Sequence, residues 1–351
     1  MRNGLLWEHK GVASEPEEGA SAGGRARRTF VPESKRFFLQ SGWLMGVMRT
    51  ILLKGSESRW MRERAMNYRF VRRALRRFMP GEKLEDAIEA ARAMRDQGLN
   101  SIFTRLGENL TDRSQAHEVV EHYRDVLHRI NALNLPSVIS VKLTQLGLDF
   151  DREFCFENLC QLLEAGGDEI VWVDMESSSY VDATLDIYRR ARALRANVGV
   201  CLQSYLYRTA KDLDSLISLG PAIRLVKGAY KEPPEIAYPK KSDVDANYFQ
   251  LASTMLSPEA QKAGMRAVIG THDRELIHRI QDVARQRNLA KTSFEFHMLY
   301  GIQRAEQQRL AADGWRAGVL ISYGKDWFPW YMRRLAERPA NLFFVFRNLI
   351  G

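Results

Sequence analysis

The order of apolar and polar positions changes character along the chain. From residue 57 to 98 the spacing is helical, with a break at Pro80-Gly81. Over 82–95, Leu84, Ala87, Ile88, Ala91 and Met94 recur at steps of three and four, which predicts one buried helix face. From about residue 100, short β-rich runs alternate with helical stretches: 101–106, 137–143, 170–175, 198–204, 223–229, 266–271, 293–299 and 317–323. Regular alternation of this kind predicts parallel strands joined by helical crossovers, and eight such units predict a closed (β/α)8 TIM-like barrel over 99–351. An open doubly wound sheet is the alternative reading of the same alternation. Ahead of the barrel, 37–98 reads as an N-terminal helical extension. Residues 11–36 are rich in Gly, Ala, Ser, Glu and Arg, so 1–36 reads as a disordered tail.

The runs end in groups able to do chemistry. They are Arg105 and Glu108, Lys142, Asp174 and Glu176, Gln203, Lys227 and Tyr230, Thr271-His272-Asp273, His297, and Tyr323. In a parallel barrel all strands end on one face, so groups far apart in sequence converge on one mouth, where enzymes of this architecture place their active sites.

Composition narrows the class. The 351 residues are 45% hydrophobic and 27% charged, ordinary globular values that exclude a collagen-like or wholly disordered chain. Cys155, Cys160 and Cys201 form no CxxC pair and no disulfide framework, which points to a reducing compartment. No run of 18 apolar residues is present, and the apolar stretch 43–53 is interrupted by Arg49. With no secretory signal pattern either, a cytoplasmic protein is expected. The net charge of +9 is uneven: residues 1–80 carry 17 basic and 7 acidic side chains, a surplus of +10, so the remainder is close to neutral. No nucleic-acid module accompanies that surplus, so no nucleic-acid partner is expected. A basic helical region fits either a solvated face or a peripheral contact with an anionic membrane, at roughly 1 kcal/mol per well-placed cation.

Several motifs fail on spacing. His117 and His122 lie five apart, about 140° round a helix, so they do not form the i,i+4 pair of a zinc protease and read as a solvated face. There is no P-loop, no G-x-G-x-x-G and no G-x-S-x-G elbow, and no metal site is expected. Any phosphate-bearing cofactor is then held by barrel loops.

The most informative segment is 318–341, GVLISYGKDWFPWYMRRLAERPAN. After a strand ending at Tyr323-Gly324, a helix presents Arg333 and Arg334, with Glu337 one turn on. Two adjacent guanidiniums make a strong receptor for a substrate carboxylate through bidentate, charge-assisted bonds. The run Tyr331 to Asn341 resembles the C-terminal helix of the proline dehydrogenase family, and Ile223 to Tyr230 (IRLVKGAY) resembles that family's fifth-strand signature. Further matches are Arg105-Leu106-Gly107-Glu108, Ser140-Val141-Lys142-Leu143, Val173-Asp174-Met175-Glu176, Phe294-Glu295-Phe296 and Phe78-Met79-Pro80-Gly81-Glu82, in order from about residue 60 to the end.

The resemblance implies a flavin-dependent barrel that oxidises L-proline to Δ1-pyrroline-5-carboxylate, with noncovalent FAD re-oxidised by a membrane quinone. The chain length resembles the monofunctional members, without an aldehyde dehydrogenase module. By motif match, Arg333 and Arg334 hold the substrate carboxylate, Lys142 lines the pocket, and Leu225 and Tyr230 pack on the ring. Glu108, Asp174 and Glu337 oppose the arginine pair. Arg224 stands near the flavin N5, with Asp174 and Arg224 as the catalytic pair, and Met175, Gln203, Val226, Lys227, Gly228, Thr271 and His272 bind the cofactor. Gly228 is expected to let the backbone approach the ligand. Three positions depart from the family: Leu320 and Trp330 replace tyrosines, and His297 replaces a glutamine. Dehydrogenation of hydroxyproline or another cyclic secondary amino acid is an alternative, as is a non-catalytic flavin-barrel or binding relative.

Overall fold

The structure is a computed structural model that describes residues 77–107, 110–328 and 331. Glu108, Trp330, Arg333, Arg334 and Glu337 lie outside the described residues, as do the expected tail 1–36 and the helical extension before residue 77.

Eight parallel strands close into a barrel in sequence order, so the closed alternative is the one adopted. Strand β1 (Asn100–Arg105) pairs with both β2 (Ser137–Val141) and β8 (Arg316–Tyr323). The ring continues through β3 (Val171–Val173), β4 (Val198–Gln203), β5 (Ala222–Val226), β6 (Arg266–Gly270) and β7 (Phe294–Leu299). Helix α1 (Leu84–Arg95) precedes β1 and packs on β1 and β8. It begins where the Asp86 carboxylate accepts from the Lys83 amide at 3.1 Å, and it buries Leu84, Ala87, Ile88, Ala90 and Ala91. The crossovers include α2 (Arg113–Ala132), α3 (Arg152–Gly166), α4 (Val181–Leu194), α5 (Thr209–Ile217), α6 (Lys241–Met255), α7 (Pro258–Lys262), α8 (Arg274–Gln286) and α9 (Arg304–Ala312). Asp112, Asp151, Ser257 and Asp273 cap α2, α3, α7 and α8 by accepting backbone N–H groups.

Alternation along each strand divides the core in two. Ile223 and Leu225 of β5 face outward into the large cluster between sheet and helices, whereas Ala222 joins Ile102, Ile170, Trp172 and Val268 inside the barrel. By the same alternation Arg224 points inward. Two interior rings fill the tube because two glycines leave room for them. A Cβ on Gly199 would come within 2.6 Å of the Trp172 ring, and one on Gly318 within 2.8 Å of the His297 ring. Among the described residues no helix is long and apolar enough to cross a membrane.

Candidate active site

The polar centre of the barrel is built on Arg224. It is 3% exposed, and the register Cys201↔Arg224↔Val268 sets it in the middle of β5. Its Nη2 donates to Asp174 Oδ1 at 2.5 Å and to Ser140 Oγ at 2.6 Å, and its Nε donates to Cys201 Sγ at 2.9 Å. Ser140 in turn donates to Asp174 Oδ1 at 3.0 Å, and the Cys201 thiol does so at 3.4 Å. The guanidinium carbon lies 5.0 Å from the centre of the Trp172 ring, within cation–π range. Burial disfavours the Arg224 cation, but its hydrogen bonds to Cys201 and Asp174 and the charge of Asp174 outweigh that and hold its pKa above the ordinary arginine value. Burial pushes the Cys201 thiol up to about 12, so it is neutral near pH 7 and Asp174 is the counter-charge that remains.

The strand ends supply the rim. Asp174 follows β3, and its amide donates to Val141 O at 2.8 Å, which carries the ladder one residue past the strand. Gln203 Nε2 donates to the carbonyls of Met175 (3.3 Å) and Glu176 (2.9 Å), which fixes the amide plane. Glu176 accepts from the Thr144 amide and hydroxyl, pinning the turn after β2 beside Lys142. Lys227 Nζ reaches Asp245 Oδ1 at 2.5 Å and Asp273 Oδ2 at 2.9 Å. Its charge is therefore matched by carboxylates from α6 and the start of α8. Thr271 Oγ1 accepts from the Asp273 amide at 3.1 Å. His272 Nε2 accepts from the Leu299 amide at 2.8 Å, which leaves the ring proton on Nδ1 when the ring is neutral.

Asp174, Gln203 and Arg224 are thus brought together, with Val226 inward at the end of β5 and Met175, Lys142, Lys227, Thr271 and His272 around the same end of the barrel. Leu225 is not brought to them: it is fully buried on the outer face, because neighbours on a strand point opposite ways. Gly228 adopts φ +113°, and a Cβ there would come within 2.4 Å of the Tyr205 ring, so an aromatic neighbour and the left-handed backbone account for this glycine. The ligand approach expected of it is not needed to explain it.

The expected solvated face of α2 holds at His117, Glu118 and Glu121, which are exposed, and needs correction at His122. His122 shares a 2.7 Å hydrogen bond with the Tyr323 phenol, and burial together with Arg105 lowers its pKa to about 4. Its ordinary value is 6.5, so between pH 6.5 and 4 the unfolded chain binds a proton that the folded chain refuses. Stability from this group is present above 6.5 and falls as pH drops toward 4, with a slope of at most about 1.4 kcal/mol per pH unit. Urea midpoints measured from pH 7 to 4 are expected to fall less steeply in His122→Gln than in the wild type.

Sequence reasoning missed Ser140, Cys201 and Trp172 as partners of Arg224. The available signal was the two-residue period. Trp172 lies two before Asp174, and Cys201 two before Gln203, so each shares the inward face with a residue already singled out.

Comparisons with known proteins give the same direction throughout. A family profile described as proline dehydrogenase matches residues 87–347. Proline dehydrogenase 2 of Bacillus subtilis subsp. natto is 36% identical over 307 residues, covering 87% of this chain and 99% of the relative. Proline dehydrogenase of Deinococcus radiodurans is 36% identical over 283 residues, covering 78% and 89%. The crystal structure of proline utilization A from Bdellovibrio bacteriovorus, inactivated by N-propargylglycine, superposes with a TM-score of 0.70 at 22% identity. That match covers 76% of this chain but 32% of the larger protein, and it bears on the fold.

Proposed function

The chain belongs to the proline dehydrogenase family, and from that premise we propose that it oxidises L-proline to Δ1-pyrroline-5-carboxylate with FAD as resident cofactor and a membrane quinone as onward acceptor. The observation that carries this reading is the buried Arg224–Asp174 pair inside the barrel, whose Arg224 Nη1 is buried without a hydrogen-bond partner among the described residues.

The donor set fits a flavin. Gln203 Oε1 is likewise buried without a partner among the described residues, while its Nε2 is fixed by two carbonyls. A buried guanidinium nitrogen and an oriented amide oxygen near one end of the barrel suit the alternating acceptors and donors along an isoalloxazine edge. Arg224, Gln203, Met175, Val226, Lys227, Gly228, Thr271 and His272 would hold the cofactor. When bound, FAD would supply the two-electron acceptor for dehydrogenation of the bond between the proline nitrogen and the ring carbon remote from the carboxylate.

The protein's own residues bind and orient. Arg333 and Arg334 grip the carboxylate of the amino acid, and Glu108, Asp174 and Glu337 offset their charge. Lys142 and Tyr230 border the ring. Arg224, held by Asp174, Ser140 and Cys201, would offer a bound flavin a fixed positive charge, and fixed charge needs no reorganisation at the moment of reaction. The surplus of +10 over residues 1–80 supports a peripheral contact with an anionic membrane in which the quinone resides.

Leu320 argues for proline over hydroxyproline. Its side chain packs with the apolar interior of Ile102, Ile170, Trp172, Ala222 and Val268, and leucine itself carries no atom that can hydrogen-bond a ring hydroxyl. An unpaired hydroxyl costs about 1–3 kcal/mol, so kcat/KM for trans-4-hydroxyproline is expected roughly ten- to a hundredfold below that for L-proline. Leu320→Ser should narrow the gap.

The test is turnover of the FAD-loaded protein with L-proline and a short-chain soluble quinone, with the cyclic imine trapped by o-aminobenzaldehyde. The coloured adduct is expected with L-proline. Its absence, with quinone present and flavin bound, overturns the reading.

A further inference from the structure

Beneath Arg224 the barrel holds a second polar group that the motif match does not employ. His297 is 5% exposed and faces inward from β7. Its Nε2 lies 3.3 Å from Glu295 Oε2, and Glu295 is paired at 2.8 Å with Arg266 on β6. Burial resists the Glu295 anion, but the hydrogen bond from His297 and the ion pair with Arg266 outweigh that and hold its pKa below the ordinary carboxylate value, so the carboxylate is ionised and only accepts. The imidazole proton must then sit on Nε2, which makes Nδ1 an acceptor. Burial and the Arg224 cation lower the His297 pKa against the pull of Glu295, in keeping with a neutral ring.

The ring is fixed on several sides. The register Gly270↔His297↔Gly318 puts a glycine on each neighbouring strand, and Gly318 has no side chain because the His297 ring takes its space. On the far side the imidazole meets Trp172 edge-on, with centroids 5.9 Å apart and planes at 77°. Trp172 is the ring against which Arg224 lies, at 5.0 Å. Three polar atoms of this stack are buried with no partner among the described residues: the acceptor His297 Nδ1 and the donors Trp172 Nε1 and Arg224 Nη1. None of the three bonds another, and a leucine or phenylalanine at 297 would remove the one acceptor among them.

We propose that His297 is a positioning residue for Arg224: braced by Glu295 and Gly318, its ring holds Trp172, and Trp172 holds the guanidinium in place for the cofactor. The replacement of the family's glutamine by histidine is then a built feature of the barrel floor. Glutamine can perform both jobs, donating to Glu295 through its amide and accepting through its oxygen. Leucine can perform neither. This inference rests on the flavin reading above.

The test uses the FAD holoenzyme of wild type, His297→Leu and His297→Gln, with flavin content and thermal midpoint recorded for each. The readouts are the anaerobic rate of flavin bleaching by L-proline and the flavin midpoint potential from dye equilibration. His297→Leu is expected to bleach about tenfold or more slowly, with a lower potential and an unchanged proline concentration for half-maximal rate. His297→Gln is expected to recover most of the rate and the potential. Should His297→Leu not fold, Trp172→Phe is expected to lower rate and potential in the same sense. Equal rate and potential in the wild type and the flavin-loaded variant would overturn the role of His297. A wild-type protein that L-proline does not bleach would remove the flavin reading instead, so the two failures are distinct.

Discussion

Arg224→Met is expected to slow the bleaching of bound flavin by L-proline at least about a hundredfold, the scale seen when one preorganised electrostatic donor is removed from an active site. The fold should survive it better than the loss of its partner. Arg224→Met leaves Asp174, which is 24% exposed on its side chain and keeps the Ser140 hydroxyl at 3.0 Å and the Cys201 thiol. Asp174→Leu instead strands a cation that is 3% exposed, with only a hydroxyl and a neutral thiol as hydrogen-bond partners among the described residues. Breaking a buried pair from the side that leaves the deeper charge costs about 3–5 kcal/mol. Urea unfolding is therefore expected to rank wild type, then Arg224→Met, then Asp174→Leu, while both variants lose most of their bleaching rate. A more stable Asp174→Leu would mean that the pair is not the charge balance of this core.

Arg334→Met is expected to act differently. Bidentate grip on a carboxylate is made in the ground state as well as the transition state, so its loss falls mainly on KM. Truncating one partner of a hydrogen-bonded charge pair costs about 2–5 kcal/mol, which corresponds to a rise in KM for L-proline of roughly thirty- to several-thousandfold. Flavin content should be unchanged, because no cofactor-binding role is assigned to Arg334. Steady-state kinetics with a soluble quinone measure the split. A KM equal to that of the wild type, or loss of FAD with the substitution, would remove the arginine from the carboxylate site.

Most of the barrel is legible in the sequence alone, because βα alternation is a local signal. All eight strands start within one residue of the predicted runs and most end within a few residues. The fifth differs most, its run 223–229 ending three residues beyond Val226, and the third run, 170–175, is cut back to Val171–Val173, after which Asp174 turns its side chain to Ser140 and Arg224. Polar groups at strand ends were also readable, since the architecture itself gathers them.

What the chain order could not supply was the facing of neighbours and the contacts between distant strands. Leu225 sits beside Arg224 in the motif, yet the two point to opposite sides of the sheet. Ser140, Cys201 and Arg224 meet only because β2, β4 and β5 curve round one interior, and Ser140 lies 84 residues from its partner. His122 looked like part of a polar helix surface, but α2 turns that position toward Tyr323, 201 residues away. Lys227 read as a cofactor contact, and its charge is taken up by Asp245 and Asp273 from two helices whose approach no spacing rule foretells. In each case the missing term was register and packing, which depend on the closed ring and not on local pattern.

The central claim is that this barrel brings proline to an electron acceptor beside Arg224. Anaerobic titration of the FAD-loaded protein with L-proline, followed through the visible flavin bands, tests it most directly. Bleaching by L-proline in proportion to the amount added, and its absence with D-proline at the same concentrations, is the predicted result. A colourless protein that takes up no FAD, or bound flavin that keeps its bands in excess L-proline, contradicts it.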